Sequence, residues 1–485
     1  MNQDKLLYQG PFTVSQDDGW YTVLTTTPKE GYTPNFGMGM IGYTWEEGGP
    51  SRLVRDGSRT LEDAVEAMAA KPFVDVLYIR CDWRHVQQEG GKLTLHPVWD
   101  LTLDAARRYG KRVAFRVQMS NPSFPTGEGA LPGFLAEKIP MVSIGTGSGR
   151  HGKGKKLLEP RYDHPAFQSA FSELQGLLSA RFDGDPLIEF VDLMMYGFWG
   201  EGHTGGFRSA YAGRALAEQT FLGFTREQLA CWKRTPVAVN MQPDISGVGN
   251  DAVQKLALEA GEWMRTDSII LDEAQQIERI GARRPDCAVI IEDGAHRDHL
   301  TGSEYLNIPQ YAHAGVDYRE NAMHHALDAG ANYWALWLEA DNVERYFQYN
   351  PTGLKAMGRR LGYRMRPSWV WQRKRGDTME LAVGVVNSGV AGVPGQLRLI
   401  ACAPNGMVLD CGFMAAGQPA AGRLSIAALM LPKDYTGDTV QLRAELVTKG
   451  ITRPLSWACA QSADGTGGVP VRLLGRDSEL WRKDV

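Results

Sequence analysis

Phe73-Val-Asp-Val-Leu-Tyr-Ile-Arg-Cys81, Trp99-Asp-Leu-Thr-Leu-Asp-Ala-Ala-Arg-Arg-Tyr109 and Arg112-Val-Ala-Phe-Arg-Val-Gln-Met119 stand in succession along the chain. The first and third are short, nearly continuous apolar runs, the pattern of strands covered on both faces, and the second repeats its apolar residues at helical spacing. Strand, helix and strand in that order make a β/α unit, whose strands run parallel because the connection crosses back over the sheet. Further strand runs lie at 36–45, 187–199, 236–241, 267–272, 287–292 and 331–338, with helical stretches such as Thr60–Met68 and Phe167–Leu178 between them. That makes eight strands. Eight such units in about 330 residues predict an α/β fold, a (β/α)8 TIM barrel over residues 31–362. An open doubly wound sheet fits less well, and no Gly-x-Gly-x-x-Gly turn follows the first strand.

After Gly362 the texture changes. Short alternating segments (Glu380–Val386, Gln396–Cys402, Val440–Leu446) separated by Gly, Asn and Pro predict a smaller antiparallel β-sandwich of immunoglobulin-like type over 363–475. An N-terminal extension (1–30) precedes the barrel and a tail (476–485) ends the chain. Bracing the barrel is the expected role of the sandwich. The longest interval between strands, about 120–165, contains Ser143-Ile-Gly-Thr-Gly-Ser-Gly-Arg-His-Gly-Lys-Gly-Lys-Lys156 and is expected to be a mobile loop over a substrate.

The bulk numbers narrow the function classes. With 43% hydrophobic and 22% charged residues and 13 Trp, the 485-residue chain reads as globular with an aromatic-rich surface, as sugar sites often need. A net charge of −4 and the lack of a basic run leave nothing to neutralise a phosphate backbone, so nucleic acid is not an expected partner. Residues Met1–Gly10 lack the basic start and apolar stretch of a secretory signal, and no run approaches a membrane span. As written the chain reads as cytoplasmic, although a leader removed ahead of Met1 would leave the same sequence. Cys81, Cys231, Cys287, Cys402, Cys411 and Cys459 form no Cys-x-x-Cys pair and read as buried free thiols. Whether Cys402 and Cys411 face each other across a hairpin is left open, as is assembly into a homo-oligomer. No cofactor is expected.

In such a barrel the side chains that do chemistry project from the C-terminal ends of the strands. Acids fall there at Glu201 after the fourth strand, Asp272 and Glu273 at the sixth, Glu292 and Asp293 at the seventh, and Glu339 and Asp341 after the eighth. Glycosidic bonds are cleaved by two carboxyl groups, one giving a proton to the leaving oxygen and the other acting as nucleophile or base. Glu201 and Glu292, on strands that sit across the mouth from each other, meet that need and point to an oligosaccharide or glycoside substrate. Phe198, Trp199 and His203 surround Glu201, and burial among them is expected to raise its pKa. His296 accompanies Glu292, and Trp337 with Glu339 offers a stacking platform beside a substrate-binding acid. Asp82, Arg116, Gln118, Asn240 and Asp272 are the other polar residues expected to line the site.

The run Asp82-Trp83-Arg-His-Val-Gln-Gln-Glu-Gly90, then Trp99-Asp100 and Gly110-Lys-Arg-Val113, is similar to the second-strand segment of glycoside hydrolase clan A. Tyr162-Asp-His-Pro165 through Arg181-Phe-Asp-Gly-Asp-Pro186 to Trp199-Gly-Glu201 resembles the helix and fourth strand of its family 42 β-galactosidase-like barrels. The resemblance covers about residues 31–362 and implies a retaining glycosidase with Glu201 as acid/base and Glu292 as nucleophile, Trp83 being among the residues near the sugar. The chain departs from the clan in having Gly200 where Asn usually precedes the acid/base, and Asp272 where Tyr ends the sixth strand. Two rival readings remain on the same barrel: a metal-dependent hydrolase with His85, His203, Asp272 and His296 as ligands, and a barrel that binds carbohydrate without cleaving it.

Overall fold

The computed structural model describes residues 19–45, 49–121, 129–146, 154, 156–203, 213–241, 250–266, 274–293, 318–336, 343–344, 348, 351–462 and 467–482. Its strands in chain order are β1 (Tyr21–Thr25), β2 (Gly39–Trp45), β3 (Val76–Asp82), β4 (Arg112–Gln118), β5 (Met141–Thr146), β6 (Lys156–Pro160), β7 (Ile188–Asp192), β8 (Val237–Asn240), β9 (Trp263–Thr266), β10 (Val289–Glu292) and β11 (Tyr333–Leu336). Further on come β12 (Met365–Arg375), β13 (Thr378–Asn387), β14 (Gln396–Cys402), β15 (Val408–Phe413), β16 (Leu424–Leu431), β17 (Thr439–Thr448), β18 (Ile451–Leu455) and β19 (Val469–Arg472). Helices between barrel strands include α1 (Leu61–Ala69), α2 (Val98–Tyr109), α3 (Pro165–Phe182), α4 (Arg214–Cys231) and α5 (Asn250–Glu259).

Gly39–Arg283 and Val289–Leu354 form one compact unit. In it β2, β3, β4, β7, β8, β9, β10 and β11 close into a parallel barrel, as the β/α periodicity predicts. The barrel strands are buried along almost their whole length, because helices cover the outside and side chains fill the inside. Two helices show how the local sequence sets an end. Thr60 caps α1 by accepting the N–H of Asp63 at 3.0 Å, and Gly110 takes the left-handed conformation that stops α2. Inside the barrel Tyr78, Phe190, Trp263 and Tyr333 form an aromatic layer with ring centroids 5.5 to 6.5 Å apart, a low-dielectric floor for whatever lies above it.

One strand lies earlier than the sequence predicts. The apolar run 267–272 reads as the sixth strand, yet the barrel uses Trp263–Thr266, and 267–272 lies outside the described residues. Arg265 is the cause of the misreading. A guanidinium in the middle of a four-residue strand breaks the apolar signal, and its interior partners are invisible from sequence. The interval after β4 also differs from an irregular loop: β5 and β6 pair into an antiparallel hairpin, Val142 opposite Glu159.

The second compact unit takes the chain up to Met38, Arg284–Ala288 and Lys355 onward. It contains one antiparallel sheet in the order β1-β12-β13-β16 and another in the order β15-β14-β17-β18, with β19 on β17. Strand β17 alternates buried Val440, Leu442, Ala444, Leu446 and Thr448 with half-buried residues, the period of a strand with one face in a core. The N-terminal segment contributes β1 to this unit, Tyr21 opposite Gln372, and Trp20 packs in a cluster with Trp371 and Ala382 beneath the Arg373 guanidinium at 4.4 Å. All six cysteines are free. Cys402 lies opposite Val408 and Cys411 opposite Ile400, so the two thiols are out of register across the β14–β15 pair. Among the described residues no helix is long and apolar enough to cross a membrane.

Asp75 fixes the entry to the first two barrel strands. Its Oδ2 accepts the Met40 N–H at 2.9 Å while its own N–H donates to the Met40 carbonyl at 2.8 Å. Asp75→Ala leaves a buried N–H unpaired and is expected to lower stability by about 1–3 kcal/mol, read as a lower urea midpoint at unchanged m-value.

Candidate active site

Charged residues occur where the barrel interior should be apolar. Arg80 on β3, Arg116 on β4 and Arg265 on β9 are almost without exposure, as are Asp192 at the end of β7, Glu292 at the end of β10, and Glu201. Three guanidiniums face three carboxylates. Burying any one of these ions alone would cost several kcal/mol, so the set is stable only as a network. Arg116 Nη2 lies 2.8 Å from Asp192 Oδ2 and its Nη1 2.5 Å from Glu201 Oε1. Arg80 Nη2 reaches the same Glu201 oxygen at 2.6 Å and its Nη1 lies 4.0 Å from Glu292 Oε1. Arg265 pairs with Glu292 Oε2 and stands 3.5 Å from Asp192. Arg80 and Arg116 are direct neighbours in strand register, a repulsive placement that Glu201 between them relieves. The phenols of Tyr43 and Tyr78 complete the layer, Tyr43 donating to Glu292 at 3.0 Å and Tyr78 to Asp192.

Glu201 reaches this layer by a route the sequence does not display. Strand β7 ends at Asp192, so the acid at the strand end is Asp192, and Glu201 returns to the axis on a compact turn. Phe198 bridges His203, the Gly202 N–H donates to Tyr196, and the Trp199 N–H donates 2.9 Å to the Ser120 carbonyl. The turn winds left-handed at Gly197, Trp199 and Gly200, with φ of 75°, 59° and 70°. A Cβ at Gly197 would stand 2.4 Å from the His203 carbonyl oxygen. Gly200 takes its positive φ without the steric cost that a side chain would add.

The protonation expected from sequence is reversed. Burial pushes the Glu201 carboxyl up, but the Arg80 and Arg116 guanidiniums and the hydrogen bond from His203 outweigh it and hold the group well below the usual carboxylate range. Neighbouring Phe198 and Trp199 do not decide the matter, because the guanidiniums are closer and charged. Tyr43 is pushed up by burial and then by the Glu292 charge, so it stays a protonated donor.

The other sequence candidates divide. Arg116 is in the network, and His203 Nε2 lies 3.4 Å from Glu201 Oε2. Gln118 and Asn121 donate to Asp82 Oδ1 at 2.7 and 3.0 Å and Arg84 approaches its Oδ2, a buried polar cluster whose carboxyl is raised by burial. Asn240 holds the turn by donating 2.9 Å to the Glu201 carbonyl. Trp199 is half-buried with its ring edge-on to His203. Trp83 is a correction: it is fully buried, donates 2.9 Å to Gln87 and packs on Phe167, so it belongs to the barrel's outer core and not to the site. Asp272, His296, Trp337 and Glu339 lie outside the described residues. His85, one of the ligands in the metal reading, packs with His96 against Trp45, while His203 sits on Glu201. Among the described residues no three His, Cys, Asp or Glu are grouped to hold a metal. Arg80, Arg265, Tyr43, Tyr78 and Asp192 were missed. Their signal is a charged or phenolic residue inside an otherwise apolar strand, since such a residue must find a buried partner.

No protein-family model and no curated protein matches the sequence. Similar solved structures include the catalytic domain of β-amylase from Paenibacillus polymyxa, at 8% identity over 65% of this chain and 98% of that one, TM-score 0.43. Another is the lactosyl-enzyme intermediate of endo-glycoceramidase II from Rhodococcus sp., at 13% identity over 84% and 99%, TM-score 0.35. A GH5_18 from Bifidobacterium longum subsp. infantis matches at 13% identity over 66% and 78%, TM-score 0.41. At these identities the roles of the site residues follow from their own geometry.

Arg116→Met tests the network. The substitution leaves Asp192 and Glu201 each one guanidinium short in a buried layer, and stability is expected to fall by about 3–5 kcal/mol in chemical denaturation. Because a depressed carboxyl contributes stability above its unfolded pKa and loses it as pH falls through the folded one, the wild-type advantage shrinks in the acid range.

Proposed function

We propose that the chain is a glycoside hydrolase of the retaining kind, in which Glu292 attacks the anomeric carbon and Glu201 handles the proton. The observation that carries this reading is the guanidinium of Arg80, which spans both carboxylates. With its terminal nitrogens about 2.3 Å apart, the two contacted oxygens are separated by no more than roughly 9 Å, a bound that admits the spacing of retaining and of inverting carboxyl pairs alike, and retention is the part of the reading that a covalent label on Glu292 tests. Both groups arise at the C-terminal ends of barrel strands or just after them, where such folds place their chemistry.

Glu292 has the surroundings of an ionised nucleophile, with Tyr43 donating to it and Arg265 paired with it. In the first step a Glu292 oxygen bonds to the anomeric carbon as the glycosidic C–O bond breaks, and the departing oxygen takes a proton from Glu201. In the second, water gives a proton to Glu201 while its oxygen displaces Glu292 from the sugar. Glu201 must therefore be protonated to begin. Two guanidiniums oppose this, so the loaded form grows as pH falls. His203, with 19% of its side chain exposed against 2% for Glu201, is the neighbour that connects the carboxyl to the outside.

Depression of the Glu201 carboxyl also supports a second reading, a glycan-binding barrel without turnover. Kinetics on aryl glycosides separate the two. Under the hydrolase reading Glu201→Gln lowers kcat by roughly 10²- to 10⁴-fold and Glu292→Gln by at least as much. Wild-type kcat/KM is expected to rise as pH is lowered from neutrality, because the depressed Glu201 carboxyl gains its proton only toward acid. Turnover unchanged in either variant rejects the pair, and glycan binding with no turnover in the wild type selects the second reading.

A further inference from the structure

We infer that Glu159, outside the charge network, is a positioning residue for the turn that carries Glu201. The inference rests on the hydrolase reading for its consequence but not for its geometry. Glu159 lies on β6 of the hairpin inserted after β4, with 1% of its surface exposed. One carboxylate oxygen accepts the Ser120 hydroxyl and the other the Tyr162 phenol at 2.5 Å. Ser120 follows the end of β4, and its carbonyl receives the Trp199 N–H at 2.9 Å. Trp199 is one of two non-glycine residues with positive φ among those described, a conformation that persists only where neighbours fix it. Its carbonyl in turn accepts from Arg116 Nη1 at 3.3 Å, the same nitrogen that binds Glu201. A short path of hydrogen bonds thus runs from Glu159 through Ser120 and Trp199 to the guanidinium that holds Glu201.

Among the described residues no cation pairs with Glu159. Its strand partner Val142 on β5 is apolar, Arg161 pairs with Asp163 at 2.5 Å, and Asp82 near β4 is taken up by Gln118, Asn121 and Arg84. Toward α3 and α4 the carboxyl meets Tyr162, which packs on Phe167 and Phe221. Burial pushes the carboxyl up to about 7, against the pull of its two hydroxyl donors. The ionised group accepts from both hydroxyls. Once protonated it must donate to one of them, and that hydroxyl turns its own proton away. The anchoring of Ser120, and through it the seat of Trp199, then depends on pH near neutrality, a dependence distinct from that of the guanidinium-held Glu201.

Glu159→Gln fixes the neutral arrangement at every pH, and Ser120→Ala cuts the path while leaving Glu159 in place. The measurement is the part of tryptophan emission lost in Trp199→Phe, followed across pH 5 to 9 on the full-length chain (about two pH units either side of the expected midpoint). Wild type is expected to show a step with its midpoint at about 7. Both Glu159→Gln and Ser120→Ala are expected to lose it while keeping the wild-type far-ultraviolet circular dichroism. On aryl glycosides the matching limb of the kcat profile disappears in Glu159→Gln, with KM changed less than about twofold. A step that survives in Glu159→Gln, or none in wild type, overturns the inference. Loss of the step in the variants with no glycoside turnover by any form supports the positioning link and sinks the hydrolase reading.

Discussion

Arg80, Arg116 and Arg265 can occupy the inside of a barrel only because Asp192, Glu201 and Glu292 are there to meet them. Each ion left unpaired at that depth would cost several kcal/mol, against a total stability for a domain of about 5–15 kcal/mol. The network therefore constrains everything around it. Strand register must set Arg80 beside Arg116, the aromatic floor must exclude water below, and the turn from Gly197 to His203 must bring Glu201 back to the axis. A layer of fixed charges and phenols of this kind is preorganised, which is what stabilising a charged transition state requires.

The same pairing restrains the chemistry. A proton donor is helped by an apolar pocket and hindered by adjacent cations, and Glu201 experiences both, with the guanidiniums prevailing. Glu292 also lies against guanidiniums, those of Arg265 and Arg80, and accepts from Tyr43. On the β5–β6 hairpin the buried Glu159 carboxyl instead accepts from two hydroxyls, those of Ser120 and Tyr162.

The barrel was legible in the sequence because strands covered on both faces leave apolar runs such as Val76–Ile79 and Val113–Phe115, and because α1 and α2 repeat at helical spacing. The sixth strand was not, since Arg265 interrupts a run of only four residues. The β5–β6 hairpin was hidden because the sequence between 143 and 156 is dominated by Gly and Lys rather than by an alternating pattern. Of the site, Glu201, Glu292, Arg116 and His203 could be named from their position in the chain. Arg80, Asp192 and Tyr43 could not, because their role lies in contacts between strands far apart in sequence, such as Tyr43 with Glu292. The Trp-Gly-Glu run announced a site but gave the wrong sign for its carboxyl, because local neighbours were visible and the guanidiniums were not. Trp83 misled for the opposite reason: its place beside Asp82 suggested the mouth, while its ring turns into the core against Phe167.

Under the proposed reading Glu292 forms a bond to the anomeric carbon of the sugar. Incubation with a panel of 2-deoxy-2-fluoro glycosides carrying an activated leaving group, in which the fluorine slows both steps and the leaving group restores the first, followed by peptide mass spectrometry, examines that bond directly. One added glycosyl mass is expected on the peptide containing Glu292, and none in Glu292→Gln. Inactivation with the label on a different carboxylate, or steady turnover of glycosides with inversion of the anomeric centre, would contradict it.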